Sequence, residues 1–198
     1  MKEKETNNLF PVFLKLEMMS VLIVGGGKVG LEKLQAILTN APATRIRLVA
    51  IDICNEIRQL TGQHAGLMIF QKSFAPADVE GADIVFIAID NKEESSRIRT
   101  IAKEAGKMVN VADRPESCDF YMSSIVQKGN LKIAISTNGK SPTIAKRLKE
   151  IFQELLPDQL DQLLENMHQL RNRLGGNFQH KVDELNKLTS SLSSKDPG

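Results

Sequence analysis

The ten residues from Val21 to Gly30 constrain the fold of this chain more than any other stretch. Four consecutive β-forming residues lead directly into a loop with glycines at Gly25, Gly27 and Gly30, and a helix-periodic segment follows. Gly25 permits a sharp turn, Gly27 lets the backbone approach a pyrophosphate, and Gly30 lets the helix pack closely on the strand. The first amides of such a helix carry partial positive charge and suit a diphosphate. This order of strand, glycines and helix is typical of a dinucleotide-binding βαβ unit.

An acidic residue follows the second predicted strand. Asp52 comes 22 residues after Gly30 and lies just behind the apolar stretch 46–50. A carboxylate at this position hydrogen-bonds the adenosine ribose of NAD and repels the 2′-phosphate of NADP. The sequence therefore predicts an NAD site. The alternative is a glycine-rich turn in an α/β protein that binds no nucleotide.

Strand and helix patterns alternate through the first part of the chain. Strands are predicted at 21–24, 45–50, 67–71, 84–89 and 108–111, with helices at 31–38 and from Asn91 to Gly106. The run 84–89 is apolar throughout, which is typical of a strand buried on both faces of a parallel sheet. The alternation predicts an α/β fold with a Rossmann-type doubly wound parallel sheet.

Ligands of doubly wound sheets bind beyond the carboxyl ends of the strands. Four residues follow the ends of predicted strands and are expected to ring one crevice: Gly25, Asp52, Asp90 and Asp113. The residues predicted to bind the cofactor are Gly25, Gly27, Lys28, Val29, Gly30, Ile51, Asp52, Ala88 and Asp90.

The chain changes character after Asp113. Two short apolar stretches, 121–126 and 131–137, flank a turn sequence at 128–130 and predict a β-hairpin. Ser141 followed by proline is a strong signal for the start of a helix, which is predicted to run to Leu155.

Leucines continue at helical spacing beyond this point, with a break at Gly175-Gly176, and the polar stretch 190–198 is expected to fray. These patterns predict three regions: an NAD-binding domain at 1–113, a small α+β dimerisation and substrate region at 114–150, and a helical C-terminal region at 151–198. The hairpin and the leucine-rich helices carry more apolar surface than a lone Rossmann core covers, so we expect a homodimer.

Composition narrows the class of protein. The chain has 198 residues, 41% of them hydrophobic, and a net charge of +2, so nothing global indicates a nucleic-acid or membrane partner. It has no apolar run of roughly 20 residues and no signal-type N-terminus. Cys54 and Cys118 form no CxxC pair, which predicts free thiols in a reducing cytoplasm and no nucleophilic cysteine. The three histidines lie in no metal-ligand spacing, so no fixed metal site is expected.

Two further motifs are specific. The first, at 109–120, reads Asn-Val-Ala-Asp-Arg from Asn110 and ends in Cys-Asp-Phe; the second, at 133–142, reads Ile-Ser-Thr-Asn-Gly-Lys-Ser-Pro from Ile135. With the entry at 10–14 and the glycine loop, they closely resemble the precorrin-2 dehydrogenase family over residues 9–157. The resemblance implies NAD-dependent oxidation of precorrin-2 to sirohydrochlorin in siroheme synthesis and a homodimer formed through the segment after the Rossmann domain. In some members it implies iron insertion as well.

The match has two departures. Ile51 stands where family members often have proline, next to Asp52, and Ile89 stands where they often have threonine, on the expected nicotinamide side. The second change removes a hydroxyl and leaves backbone groups and Asp90 to make the contacts there.

The segment expected to meet the substrate is basic. Residues 107–153 contain eight basic and four acidic residues, an excess of four positive charges, which suits a tetrapyrrole with eight carboxylates. The residues predicted to bind substrate are Asn110, Arg114, Ser136, Thr137, Lys140 and Ser141. For Lys146, Arg147 and Lys149, a solvated basic helix face is an equal alternative.

Asp113 is the predicted catalytic residue. It follows the fifth strand, and the resemblance assigns the family's catalytic aspartate to this motif. Its carboxylate would take a proton or orient the macrocycle; the alternative is that it caps the turn before Pro115. Three functions stay open: an NAD-dependent dehydrogenase, a bifunctional enzyme that also inserts ferrous iron, and a non-catalytic NAD-sensing Rossmann module.

Overall fold

The computed structural model describes residues 6–189, which form two compact units. The first unit comprises residues 8–122. The second comprises residues 123–189 together with Thr6 and Asn7. The first unit therefore extends past Asp113, where the sequence predicted a boundary, because residues 118–120 pair with the last strand of the sheet.

The first unit contains a five-stranded sheet and three α-helices. The strands are β1 (Ser20–Gly26), β2 (Arg45–Ile53), β3 (Leu67–Gln71), β4 (Ile84–Ile87) and β5 (Met108–Val111), and the helices are α1 (Lys28–Asn40), α2 (Asn55–Thr61) and α3 (Lys92–Glu104). All strand pairs are parallel, in the order β3-β2-β1-β4-β5. The predicted doubly wound sheet is confirmed, and its order reverses between β1 and β4, where such sheets bind ligands.

The central strand is buried on both faces. Val21 and Ile23 pack with Leu34 of α1 in one apolar cluster, whereas Leu22 and Val24 pack with α3 in a second. Burying each such side chain contributes about 1.5–3 kcal/mol relative to leaving it exposed. Packing on both faces therefore fixes the positions of the strand ends in the sheet.

Several boundaries differ from the sequence prediction. The helix after the glycine loop begins at Lys28, earlier than the predicted Leu31, and β2 continues to Ile53. The fourth strand ends at Ile87 because its neighbour β1 turns away at Gly25, which has φ +121°. Helix α2 has seven residues and one buried side chain, Ile57, and it is not among the predicted elements.

The second unit begins with an antiparallel hairpin of β6 (Ser124–Lys128) and β7 (Leu131–Ile135), followed by α4 (Pro142–Leu155), α5 (Leu160–Arg173) and α6 (Phe178–Thr189). The first hairpin strand begins later than predicted and continues to Lys128, which leaves a turn of two residues, Gly129 and Asn130. Asp161 of α5 accepts hydrogen bonds from the Asn130 amide at 2.8 Å and side chain at 3.0 Å, which fixes that turn.

As predicted, Ser141 begins α4: its hydroxyl accepts a hydrogen bond from the Ile144 amide at 3.2 Å. No helix among residues 6–189 is both long and apolar enough to cross a membrane. The predicted frayed end at 190–198 lies outside the described residues.

Candidate active site

Two glycines of the β1–α1 turn are required by the protein's own backbone. Gly25 has φ +121°, and a Cβ there would overlap the carbonyl of Ala88. A Cβ on Gly30 would overlap the carbonyl of Gly25. Only glycine allows both close approaches, so these two positions set the tight turn and the packing of α1 on β1.

Gly27 has a different environment. A Cβ built on it has no atom within 4 Å, so the space beside it is open. Gly27 is the N-cap of α1, and no side chain caps that helix end. The next residue, Lys28, is exposed. An open, uncapped helix N-terminus beside a flat glycine backbone fits the pyrophosphate of a dinucleotide.

Asp52 lies beside this turn at the carboxyl end of β2. Gly26 of β1 pairs with Ile53, and a Cβ on Gly26 would overlap the Asp52 carbonyl. The Asp52 side chain is exposed, and within residues 6–189 it makes no hydrogen bond or ion pair. The neighbouring Ile51 is 65% exposed. The Asp52 carboxylate is therefore available to a ribose held over the glycine turn.

The carboxyl ends of β4 and β5 lie at the same edge of the sheet as the glycine turn of β1. The Ala88 amide donates to the Val24 carbonyl at 2.7 Å, and the Ala112 amide donates to the Ile87 carbonyl at 2.9 Å. These bonds place Ala88 next to Gly25 and place the residues after β5 next to Ala88. Asp90 follows in an exposed loop. All four residues predicted to ring a crevice thus lie at the carboxyl ends of strands in one parallel sheet or just after them.

Asp113 adopts an uncommon backbone conformation. It lies in a turn closed by a 3.4 Å hydrogen bond from the Arg114 amide to the Val111 carbonyl, and its φ is +58°. Left-handed backbone costs an L-residue about 1–2 kcal/mol. The Asp113 side chain is exposed and accepts no hydrogen bond within residues 6–189, so it does not cap the turn.

Two predicted substrate residues of this unit make contacts within the protein. Asn110 is buried, and its side-chain amide donates to the Phe120 carbonyl at 2.9 Å. The Arg114 guanidinium donates to the Lys92 carbonyl at 3.3 Å and to the Ser96 hydroxyl at 3.4 Å, both on α3. These contacts shape the loop after β5.

The other four predicted substrate residues share one loop of the second unit. The Thr137 hydroxyl donates to the Ser141 carbonyl at 3.1 Å and accepts from its amide at 3.2 Å. The Ser136 hydroxyl accepts from the Asn138 amide at 3.2 Å, and the Lys140 amide donates to the Thr137 carbonyl at 3.0 Å. The hydroxyls therefore build the loop that leads into α4, and the Lys140 side chain is exposed beside it.

The sequence matches the family model described as putative NAD(P)-binding over residues 12–124. The chain belongs to this NAD(P)-binding family. A second family model, described as the central part of sirohaem biosynthesis proteins, matches residues 128–155. Together the two matches confirm the family recognised from the motifs and confirm a nicotinamide dinucleotide as its cofactor.

Relatives and a solved structure agree with this family. The chain is 34% identical to siroheme synthase 2 of Aeromonas salmonicida over 82% of its own length and 33% of the relative's. It is 29% identical to a siroheme synthase of Ruthia magnifica, over 89% of the chain and 35% of the relative. It thus spans about a third of these curated relatives. A solved structure, "SirC, precorrin-2 dehydrogenase", shares the fold with a TM-score of 0.72 and 23% identity, covering 91% of this chain and 89% of that one.

Residues 118–120, which we name the 118–120 clamp, had no predicted role in the site. The Asp119 carboxylate accepts from the Val109 amide and from Lys103 Nζ, both at 2.8 Å, and the Phe120 ring packs edge-on against Phe86 at 5.5 Å. Cys118 and Asp119 were part of the quoted motif, which was the available signal. Through these contacts, the motif attaches the loop after β5 to the sheet of this NAD(P)-binding fold.

Ionisation in the clamp follows from these contacts. Burial raises the pKa of the Cys118 thiol, against the smaller effects of the Val111 hydrogen bond and the Lys33 charge. Partial burial opposes ionisation of Asp119, but the bonds from Lys103 and the Val109 amide outweigh it and lower the pKa of that carboxyl. Within residues 6–189, no group of three His, Cys, Asp or Glu side chains is arranged to hold a metal ion.

Proposed function

We propose that this chain is an NAD-dependent dehydrogenase that oxidises precorrin-2 to sirohydrochlorin in siroheme synthesis. The observation that carries the proposal is the position of the Asp113 turn, which follows β5 on the same sheet edge as the open glycine turn of β1. The names of the relatives and of the solved structure of like fold support the same chemistry.

Each group in the first unit has a distinct part in this reaction. The amides at the start of α1 hold the diphosphate over Gly27, and Asp52 bonds the adenosine ribose. Oxidation of precorrin-2 removes one hydride and one proton, and NAD, when bound, supplies the hydride acceptor. The exposed Asp113 carboxylate receives the proton or holds the macrocycle in place for its release to water.

The basic character of residues 107–153 supports a polyanionic substrate. The segment carries an excess of four positive charges in a chain of net charge +2. Such an excess attracts a ligand with eight carboxylates and speeds its association. We assign substrate binding to Lys140 and the adjoining hydroxyl loop of the second unit. Arg114 and Asn110 of the first unit shape the Asp113 loop.

We also propose that the chain acts as a homodimer in the cytoplasm. Helix α4 buries Ala145 within its own unit, whereas Ile144, Ile151 and Leu155 are 55%, 49% and 70% exposed. These three side chains recur at helical spacing, so they form an apolar stripe that a second copy of the helix would cover.

Replacement of Asp113 tests the proposed chemistry. Asp113→Asn keeps the size of the side chain and removes its charge, so NAD affinity should stay within about twofold while precorrin-2 oxidation falls by about 100-fold or more. Absorbance of NADH gives turnover, and fluorescence titration gives NAD affinity. Asp113→Ala should lose turnover to the same degree.

The same assay separates the remaining functions. Parallel reactions with ferrous iron show whether the protein also converts sirohydrochlorin to siroheme. Full turnover by Asp113→Asn contradicts the role of Asp113. NAD binding without any oxidation of precorrin-2 by the unmodified protein contradicts the dehydrogenase itself and favours an NAD-sensing module.

A further inference from the structure

The thiol of Cys118 contacts both ends of the turn that carries Asp113. Cys118 Sγ accepts a hydrogen bond from the Val111 amide at 3.2 Å, and it lies 3.2 Å from the carbonyls of Val111 and Arg114. Val111 and Arg114 are the first and last residues of that turn. A thiol has one proton, so it donates to one of these two carbonyls at a time.

The turn depends on outside support. Its own closing bond, from the Arg114 amide to the Val111 carbonyl, is long at 3.4 Å. At the same time Asp113 occupies the left-handed region with φ +58°, which an L-residue leaves unless its surroundings hold it there. The Cys118 thiol supplies a second connection between the two ends. Because burial raises its pKa, the thiol keeps its proton at neutral pH.

We propose that Cys118 is a positioning residue for Asp113. The Cys118 thiol holds the Val111–Arg114 turn in the conformation in which Asp113 takes part in the reaction. This inference rests on the proposed function, since it assigns Cys118 a part in the oxidation carried out at that site. Cys118 does not touch substrate in this role; it acts through the backbone of the Val111–Arg114 turn.

The neighbours of Cys118 make this effect separable from folding. The Asp119 amide donates to the Val109 carbonyl at 2.8 Å, and the Phe120 carbonyl accepts from Asn110 at 2.9 Å. These bonds keep the 118–120 clamp on β5 when the thiol alone is removed. Cys118→Ala should therefore fold and bind NAD, with a loosened turn.

Hydrogen exchange of the unliganded protein tests the hold on the turn. In Cys118→Ala the Val111 amide loses its acceptor, so its exchange should speed up by about tenfold or more. Cys118→Ser restores a donor and an acceptor and should slow that exchange again. Exchange equal to that of the unmodified protein in Cys118→Ala would overturn the inference, whatever reaction the protein catalyses.

Turnover then tests the link to Asp113. Cys118→Ala should lower kcat by about tenfold or more with NAD affinity within about twofold, because small displacements of a reacting group cost this much. Cys118→Ser should recover most of that loss. In an Asp113→Asn background, Cys118→Ala should cause no further loss, since the two act as one unit. Cys54→Ala removes the other thiol and serves as the matched control.

Two results would overturn the role of Cys118 in the reaction. One is an unchanged kcat in Cys118→Ala; the other is a further loss of kcat when Cys118→Ala is added to Asp113→Asn. Failure of the proposed function is distinguishable from both. If the unmodified protein does not oxidise precorrin-2, the proposed function fails and the role of Cys118 in it falls too, while hydrogen exchange still decides whether the thiol holds the turn.

Discussion

Gly27 and Gly30 belong to one sequence motif, yet their surroundings in the structure differ. At Gly30 the neighbouring backbone of Gly25 excludes a Cβ. At Gly27 no protein atom lies within 4 Å of that position, and φ is an ordinary −87°. The motif predicted a packing role for Gly30 and a pyrophosphate role for Gly27; the structure shows the backbone contact at Gly30 and open space at Gly27.

Alanine substitutions should separate these two requirements. Gly27→Ala should change the free energy of unfolding by less than about 1 kcal/mol and weaken NAD binding by about tenfold or more, because its methyl group enters the space of the pyrophosphate. Gly30→Ala should lower the free energy of unfolding by about 1–3 kcal/mol through backbone overlap. Chemical denaturation and NAD titration measure the two effects. Normal NAD affinity in Gly27→Ala would contradict the placement of the pyrophosphate.

Asp52 is expected to set the choice between NAD and NADP. Its exposed carboxylate would face the 2′-phosphate of NADP, and two such charges about 4 Å apart repel by roughly 1–4 kcal/mol between bulk water and a protein surface. The unmodified protein should therefore prefer NAD by about tenfold or more, and Asp52→Asn should narrow that preference. Comparative titrations at low and high salt check this, with Glu104→Gln as an exposed control. Equal affinity of the unmodified protein for NAD and NADP would contradict the assignment of Asp52 to the adenosine ribose.

The sequence could not predict the contacts that depend on a neighbouring element. Asn110 and Arg114 were predicted as substrate residues from their motif. Their hydrogen bonds to Phe120 and to the first turn of α3 arise only when the loop after β5 folds back against both elements. The positive φ of Asp113 likewise follows from the loop geometry, and no residue pattern encodes it.

At the scale of elements, long periodic patterns were predictable and short ones were not. The five strands and α1, α3 and α4 follow from apolar runs and helix caps in the sequence. Helix α2 spans seven residues and buries a single side chain, so it has too few turns for a periodic signal. The end of β4 depends on where β1 turns at Gly25, which is a tertiary effect.

The attachment of the 118–120 clamp to the sheet should depend on pH. The pKa of Asp119 is lowered in the folded protein relative to about 3.9 when unfolded. The carboxylate therefore contributes stability above about pH 4, and this contribution is lost as pH falls through the lower folded value. Asp119→Asn should lower the free energy of unfolding by about 1–2 kcal/mol at pH 7, with the difference shrinking below about pH 4.

Denaturant unfolding between pH 7 and pH 2.5 measures this difference. Asp158→Asn is the control, because that carboxylate also pairs with a lysine, Lys128 at 2.7 Å, but is 92% exposed. Exposed ion pairs contribute little to stability. A gap between the unmodified protein and Asp119→Asn that stays constant over the whole range would show that the charge of Asp119 does not anchor the clamp.

At the scale of the whole molecule, the apolar stripe of α4 is a surface that residues 6–189 of one copy leave uncovered. Leu155 is 70% exposed at the end of a helix that buries Ala145 in its own unit. A charge on the stripe should abolish the proposed dimer, because an unpaired charge in an apolar interface loses its hydration. Leu155→Glu should therefore sediment as a monomer at micromolar concentration, whereas the unmodified chain sediments as a dimer. Gln153→Glu places the same charge at an exposed position of α4 and should stay dimeric. A monomeric unmodified chain would contradict the assembly and leave the NAD site of the first unit unaffected.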